Sequence, residues 1–261
     1  MKNKLARAAF FALAIVMTAA GCVGSTLCAE ECVLDEPLVT ADPAKAGTKT
    51  IAIGEKTYSC TYKTSGAGSL PGVRDTYITD EGGELTVDSE TGRICIFADI
   101  SPFERIEGPT ELTDDELIEA VKERIAPIAN TERYNEITVE RDCGNGTDRT
   151  DIIVEFHRTV EGIETLDRVI VRLYIFGDII RFSGADDRFA ELELPRVSEA
   201  QRDKLVREVV EKKLEGAEPG EIKITHSYLS FYKGRSALIC YACFSDGEGT
   251  FDVATVAIFR K

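Results

Sequence analysis

Apolar and polar positions along the chain fall into two helical stripes and a series of alternating runs. Leu117, Ile118, Val121, Ile125 and Ile128 recur at spacings of three and four, which predicts a helix with one apolar face. Thr113 stands at its N-cap with Glu116 three residues on, a capping box, and Leu112 and Leu117 are spaced for a hydrophobic staple. Pro127 and Asn130 close it. A second stripe, Leu205, Val206, Val209, Val210 and Leu214, follows Ser198 with Gln201 at the third position. Gly216 ends it, and Lys212 and Lys213 sit in its last turn, where the helix dipole favours cations.

The remaining pattern has a period of two. "KTIAI", "TYSCTYK", "RDTYITD", "ELTVD" and "RICIFAD" read as strands, with turns at Gly54-Glu55, Gly82-Gly83 and Ser89 to Gly92. After the first helix come "EITVERD", "DIIVEFHRTV", "RVIVRLYIF" and "DIIRFSG". After the second come "EIKITHSYLSFY", "SALICYACF" and "TFDVATVAIFRK". The expected fold class is α+β: tandem modules of one helix packed on an antiparallel β-meander, at 109–190 and 191–261, preceded by a β-rich module at 49–108. Helix followed by meander, met twice about 85 residues apart, suggests a degenerate repeat.

Lys2, Lys4 and Arg7 precede a 13-residue apolar run, "AAFFALAIVMTAA", too short to span a bilayer, which leads into Gly21-Cys22. Residues 1–21 thus read as an export signal cleaved between Gly21 and Cys22, and the stretch resembles a bacterial lipoprotein signal in which Cys22 is acylated. Ala19 departs from that pattern, which usually has Leu three residues before the Cys; simple secretion is the alternative. Residues 22–48, rich in Ala, Pro, Asp and Glu without periodicity, read as a flexible tether. The expected location is the outer face of the cytoplasmic membrane, with membrane contact through the N-terminal lipid only.

Charge and cysteine narrow the picture further. The formal net charge is -15, and losing the signal removes three bases and no acid, so the surface repels phosphate backbones and no nucleic-acid partner is expected. The 43% hydrophobic content suffices for a real core. Export permits disulfides. Eight cysteines are present, and acylation of Cys22 would leave an odd number. Cys60 and Cys95 lie in apolar strands of one module, either as two buried thiols or as a disulfide. Cys240 and Cys243 look like a redox or zinc half-site, but three residues along a strand place side chains on opposite faces, about 10 Å apart.

Other chemistry finds little footing. There are two histidines, His157 and His226, neither with a second ligand at metal spacing. Ser69, in "GAGSLPG", does not meet the nucleophile-elbow pattern, and phosphate-binding glycine motifs are lacking. Asp114, Asp115 and Glu116 decorate a helix N-terminus, and Asp186-Asp187 fits no calcium loop. No catalytic, metal or cofactor-binding residue is assigned, and no enzyme activity is expected.

Three stretches in order, "VDSETGRI" (87–94), "VEGIETLDRVIV" (160–171) and "FGDIIRF" (176–182), resemble the PepSY-type peptidase-propeptide superfamily, as found in Gram-positive lipoproteins carrying tandem PepSY-like modules. The resemblance covers about residues 70 to 261. It implies a cystatin-like fold, helix on antiparallel sheet, with no shared catalytic residues. It also implies a role in inhibiting or chaperoning exported peptidases, or as an adaptor outside the membrane. No peptidase domain follows in this sequence, so a propeptide role in cis is not expected. The functional expectation is a non-catalytic protein-binding or regulatory module whose partner is an exported protein, a peptidase included. The alternative is an envelope sensor binding a small ligand on the sheet face opposite a helix.

Overall fold

A computed structural model describes residues 27–31, 39–40, 42–67, 72–142, 151–160, 162–184, 189, 197–214, 220–232, 235–245 and 251–260. In chain order its strands are β1 (Leu27–Glu31), β2 (Val39–Thr40), β3 (Thr48–Ile53), β4 (Lys56–Ala67), β5 (Val73–Thr79), β6 (Glu84–Asp88) and β7 (Ile94–Ala98). They continue as β8 (Glu136–Asp142), β9 (Asp151–Val160), β10 (Ile163–Tyr174), β11 (Ile179–Ser183), β12 (Ile222–Tyr232), β13 (Arg235–Ser245) and β14 (Phe251–Arg260). The helices are α1 (Asp114–Ile125) and α2 (Glu199–Lys213). Among the described residues no helix is long and apolar enough to cross a membrane. The chain forms two compact units, one from Glu36–Glu191 and a smaller one combining Met1–Asp35 with Leu192–Lys261.

In the larger unit the strands run β8-β9-β10-β11-β7-β6-β5-β4, all antiparallel, with β3 and β2 both lying along the outer side of β4. Local chemistry sets the turns. Gly54, at φ 57, makes the two-residue bend that pairs Ile53 with Lys56. In the β6–β7 hairpin the Asp88 carboxylate accepts from the Glu90 and Thr91 amides at 3.0 and 2.8 Å, and Gly92 takes φ 71.

Both caps of α1 are present: Thr113 Oγ1 accepts from the Glu116 amide at 3.3 Å, and the Glu116 carboxylate accepts from the Thr113 amide at 2.9 Å. Leu117, Val121 and Ile125 are fully buried against the sheet. One core runs from Ile53 and Tyr58 through Phe97 and Phe182 to Val154 and Phe156. Each such side chain contributes roughly 1.5–3 kcal/mol by leaving water.

This arrangement overturns the expected fold class. The protein is dominated by strand, fourteen against two α-helices among the described residues, and is not a tandem of helix-on-meander modules. The strands at 49–108 and those at 109–190 belong to one sheet, because β7 pairs with β11. Phe97 stands directly opposite Phe182 there, their rings stacked with centroids 5.5 Å apart. A separate N-terminal module would have left two apolar sheet edges to be covered; pairing them removes both.

The smaller unit is a four-stranded antiparallel sheet in the order β1-β14-β13-β12. Its outer strand β1 comes from the stretch expected to be a tether, a second departure from the sequence reading. α2 contacts β1, β14 and β13, burying Val206, Val209 and Val210. Leu238, Cys240, Ala242 and Phe244 alternate along β13 as buried positions. Cys240 lies close enough to α2 for the charges of Arg202 and Asp203 to act on its thiol.

Candidate functional site

The two outer edges of the larger sheet are built differently. At one, β8 reads Glu-Ile-Thr-Val-Glu-Arg-Asp, and its Arg141 reaches back to the Pro109 and Leu112 carbonyls, each at 3.0 Å, and to Asp114 at 2.9 Å. That edge is fenced by charge. At the other, β3 reads Thr-Lys-Thr-Ile-Ala-Ile, and Thr48, Lys49, Thr50 and Ala52 are exposed.

Register decides which backbone groups β3 offers. The two-residue turn makes Ile53 and Lys56 a hydrogen-bonded pair, so Ile51 and Lys49 also direct their amides and carbonyls toward β4. The Tyr62 amide donating to the Gly47 carbonyl at 3.1 Å continues the series. Thr48, Thr50 and Ala52 therefore aim their backbone donors and acceptors outward, and among the described residues no strand pairs with them. Lys49 lies over the Tyr77 ring, 4.1 Å from its centroid, so the strand is anchored on its inner face.

The lead-in to β3 is clamped. Pro43–Lys45 forms a 3-10 turn capped by Asp42, whose carboxylate accepts from the Ala44 amide at 3.0 Å. Lys45 Nζ donates to both oxygens of the buried Asp75 at 2.8 Å and to Ser89 Oγ at 3.3 Å. Ser65 Oγ donates to Asp75 at 2.7 Å, and Tyr62 OH meets Ser65 Oγ at 2.7 Å while accepting from the Asp42 amide at 3.0 Å. Burial alone would raise the Asp75 carboxyl, but hydrogen bonds from Lys45, Ser65 and Ser89 outweigh it and hold the group below its ordinary value. The hydrogen bond to Asp75 raises Lys45, so the pair is ionised at neutral pH and Lys45 is no general base.

A second cluster surrounds Asp167 on β10, which is fully buried. Its Oδ1 accepts from Arg133 Nη2 at 2.8 Å and from Tyr134 OH at 3.0 Å, while Arg158 stands 3.6 Å from Oδ2. Burial, and then the Asp167 charge, push the Tyr134 phenol up, out of reach of physiological titration. Sequence reasoning missed this cluster, although a signal was present. Val169, Val171 and Leu173 mark the inward face of β10, and a period of two places Asp167 on it. Two guanidiniums neutralise it and a tyrosine hydroxyl donates to it, which makes it a strut joining the α1–β8 connection to β10.

The sequence candidates are scattered. Gly21, Cys22, Ser69 and Asp186-Asp187 lie outside the described residues. Cys60 and Cys95 are separate buried thiols, not a disulfide. Cys60 is on β4 and Cys95 on β7, with β5 and β6 between. At about 4.8 Å per strand that is roughly 14 Å, against the 7 Å limit for a bridge. Burial pushes the Cys60 thiol up, and Cys240 is pushed up to about 12, so both are poor nucleophiles. Cys243 lies on the opposite face of β13 from Cys240, partly exposed.

His157 faces away from the core and meets Glu155 at 2.8 Å. His226 is exposed beside a bulge in β12 and joins Tyr228 and Tyr241, with ring centroids 5.5 and 6.5 Å away; the two phenols meet at 3.0 Å. Gly92, Arg93 and Ile94 of the β6–β7 hairpin, with Gly54 and Pro127 to Asn130, line an open surface groove of about 460 Å³, in which Arg93 is the one charged residue among the described lining. The hairpin is thus a bend that also walls a shallow groove. Among the described residues no group of three or more His, Cys, Asp or Glu is placed to hold a metal ion. No protein-family model, curated protein or solved structure matches the chain.

Proposed function

We infer that the chain is an exported, lipid-anchored binding module that takes an extended segment of another exported protein onto the outer edge of β3. The observation that carries this reading is the outward-aimed backbone of Thr48, Thr50 and Ala52 on an exposed strand of small and β-branched residues. Such an edge is a template for strand addition, where main-chain hydrogen bonds supply affinity and alternate side chains supply specificity. The clamp of Lys45 on Asp75 supports it by fixing the backbone that feeds β3, which lowers the ordering cost of binding. The PepSY-like motifs suggest a peptidase as the class of partner.

Proline at position 50 tests the edge selectively. The Thr50 amide points outward, so Thr50→Pro removes a rim donor and crowds an incoming strand while sparing the bonds to β4. Pull-down from envelope extract and inhibition of exported peptidases should both weaken about tenfold in this variant, with circular dichroism unchanged. Partner binding at full strength in a folded Thr50→Pro protein would reject the edge as the site. The trio of His226, Tyr228 and Tyr241 favours a second reading, a small planar ligand held on that face of β12 and β13. Ligand-dependent Tyr fluorescence lost in His226→Ala would favour it over strand addition.

A further inference from the structure

We propose that the outer edge of β3 pairs with the same edge of a second copy of this chain, antiparallel across a two-fold axis that sets Thr50 opposite Thr50. The inference rests on the edge reading above and names an occupant of that edge with which an exported partner must compete.

Sequence, register and charge along one strand carry it. The edge lacks the features that ordinarily keep such strands apart. Pairing with β4 is unbroken from Thr48 to Ile53, so no bulge twists the strand away, and no proline stands in it. The residues whose backbone faces outward, Thr48, Thr50 and Ala52, are exposed, small and uncharged. Lys49 is the one charged side chain of the strand, and it is turned onto the Tyr77 ring of its own sheet. β8, with Glu136, Glu140, Arg141 and Asp142, shows the opposite treatment.

The pattern is also its own complement. Outward residues recur at every second position, so the strand fits a reversed copy of itself only where outward residue meets outward residue. An axis on Thr50 sets Thr48 opposite Ala52, Thr50 opposite Thr50 and Ala52 opposite Thr48. Every outward residue of the strand is then paired, and each pair exchanges two bonds, about six main-chain hydrogen bonds in all.

The neighbouring registers are worse. An axis on Lys49 would place two ammonium side chains opposite each other, a destabilising pair, and would carry Ala52 past the start of the strand to Ala46. An axis on Ile51 would set Thr48 against Gly54, in the turn. With the axis on Thr50, Lys49 stands opposite Ile51 and no like charges are opposed. The net charge of -15 opposes approach from afar, but at physiological salt it is screened beyond about 8 Å, and the ladder forms inside that range. So short a ladder belongs to the small, transient class of interface, which leaves it open to displacement by a longer strand.

The test uses cells producing two copies of the full chain with different epitope tags, one carrying benzoylphenylalanine in place of Ala52. Illumination should join the two tags in an adduct of twice the chain mass, and mass spectrometry should map it to the peptide around Thr48 of the other copy. Thr50→Glu in both copies, or Thr50→Lys in both, opposes like charges across the axis and should cut the adduct about threefold. Thr50→Glu in one copy with Thr50→Lys in the other should restore it, which a folding defect could not do. No adduct from the unaltered edge, an adduct mapping away from residues 48–52, or no recovery with mixed charges would overturn the self-pairing. Partner capture that is lost in Thr50→Pro, with no adduct in the unaltered protein, would sink the self-pairing and leave the edge reading standing. Adduct formation with capture unchanged in Thr50→Pro would sink the edge as the partner's site and leave the self-pairing standing.

Discussion

The two units bury different kinds of residue. Among the described residues the larger one encloses three aspartates, Asp75, Asp88 and Asp167, together with four hydroxyl side chains, whereas the smaller one encloses Ser230 alone from the polar set. Each starts its helix with the same capping box and lays a stripe on a sheet. The load on the stripe differs. α1 spends Leu117, Val121 and Ile125 on a core shared by most of the larger sheet, while α2 spends three valines on a four-stranded one. The lesson concerns segments without regular structure. The larger unit must hold the 42–47 turn, the β6–β7 bend and the α1–β8 connection in place, and it does so with carboxylates that gather amides, hydroxyls and cations. In the smaller unit the described residues lie almost wholly in strands and in α2.

The contrast breaks most sharply at Asp167. Asp167→Ala leaves Arg133 and Arg158 facing each other with no anion between them, and should destabilise the protein by about 3–5 kcal/mol in urea unfolding. A loss under 1 kcal/mol would mean the cluster is solvated and the supposed ionic strut is ornamental. Next come the stripes. Leu117→Ala should cost about 3 kcal/mol and Val206→Ala about 2 kcal/mol, because both sites are fully buried and the first loses the larger side chain. Equal costs would erase the difference in load.

The smallest effect is a pH dependence confined to the larger unit. Asp75 is held below its ordinary value, so the stabilisation it gives is present above about pH 3.9 and lost as pH falls through the lowered value. Lys45 is raised, so its share is present below about pH 10.4 and lost as pH climbs past the raised value. Amide exchange at Lys45 and Ala46, whose N–H groups close the 3-10 turn, should accelerate beyond the intrinsic rate as pH falls through the lowered Asp75 value and as it climbs through the raised Lys45 value. Unchanged protection at both extremes would show that the turn holds without its ion pair.

The parts legible in the sequence were those whose cause is local. Thr113 with Glu116, and Ser198 with Gln201, both form complete capping boxes, because a cap is a contract between residues three apart. The bends at Gly54 and Gly92 and the outward face of His157 were legible for the same reason. What failed was pairing at a distance. Nothing in "RICIFA" or "DIIRFS" says that Phe97 will stand opposite Phe182, since alternation marks a face and not a neighbour. The same ignorance made Cys60 and Cys95 a candidate bridge when two strands separate them. β1, five residues of "LCAEE", is too short for any period to show. Of the candidate edge, the strand was readable but its openness was not: which residues aim outward follows from the turn register, and which strands remain uncovered follows from the whole sheet.

The stitching of β1 to β14 bears on how the protein is made. The strand that leaves the ribosome early must wait for a mate more than two hundred residues behind it. At ordinary translation speeds that delay is on the order of ten to forty seconds. The contiguous larger unit can mature in the interval, so the smaller unit is the last piece to close, and a chain released early would present two unmated strand borders to its neighbours.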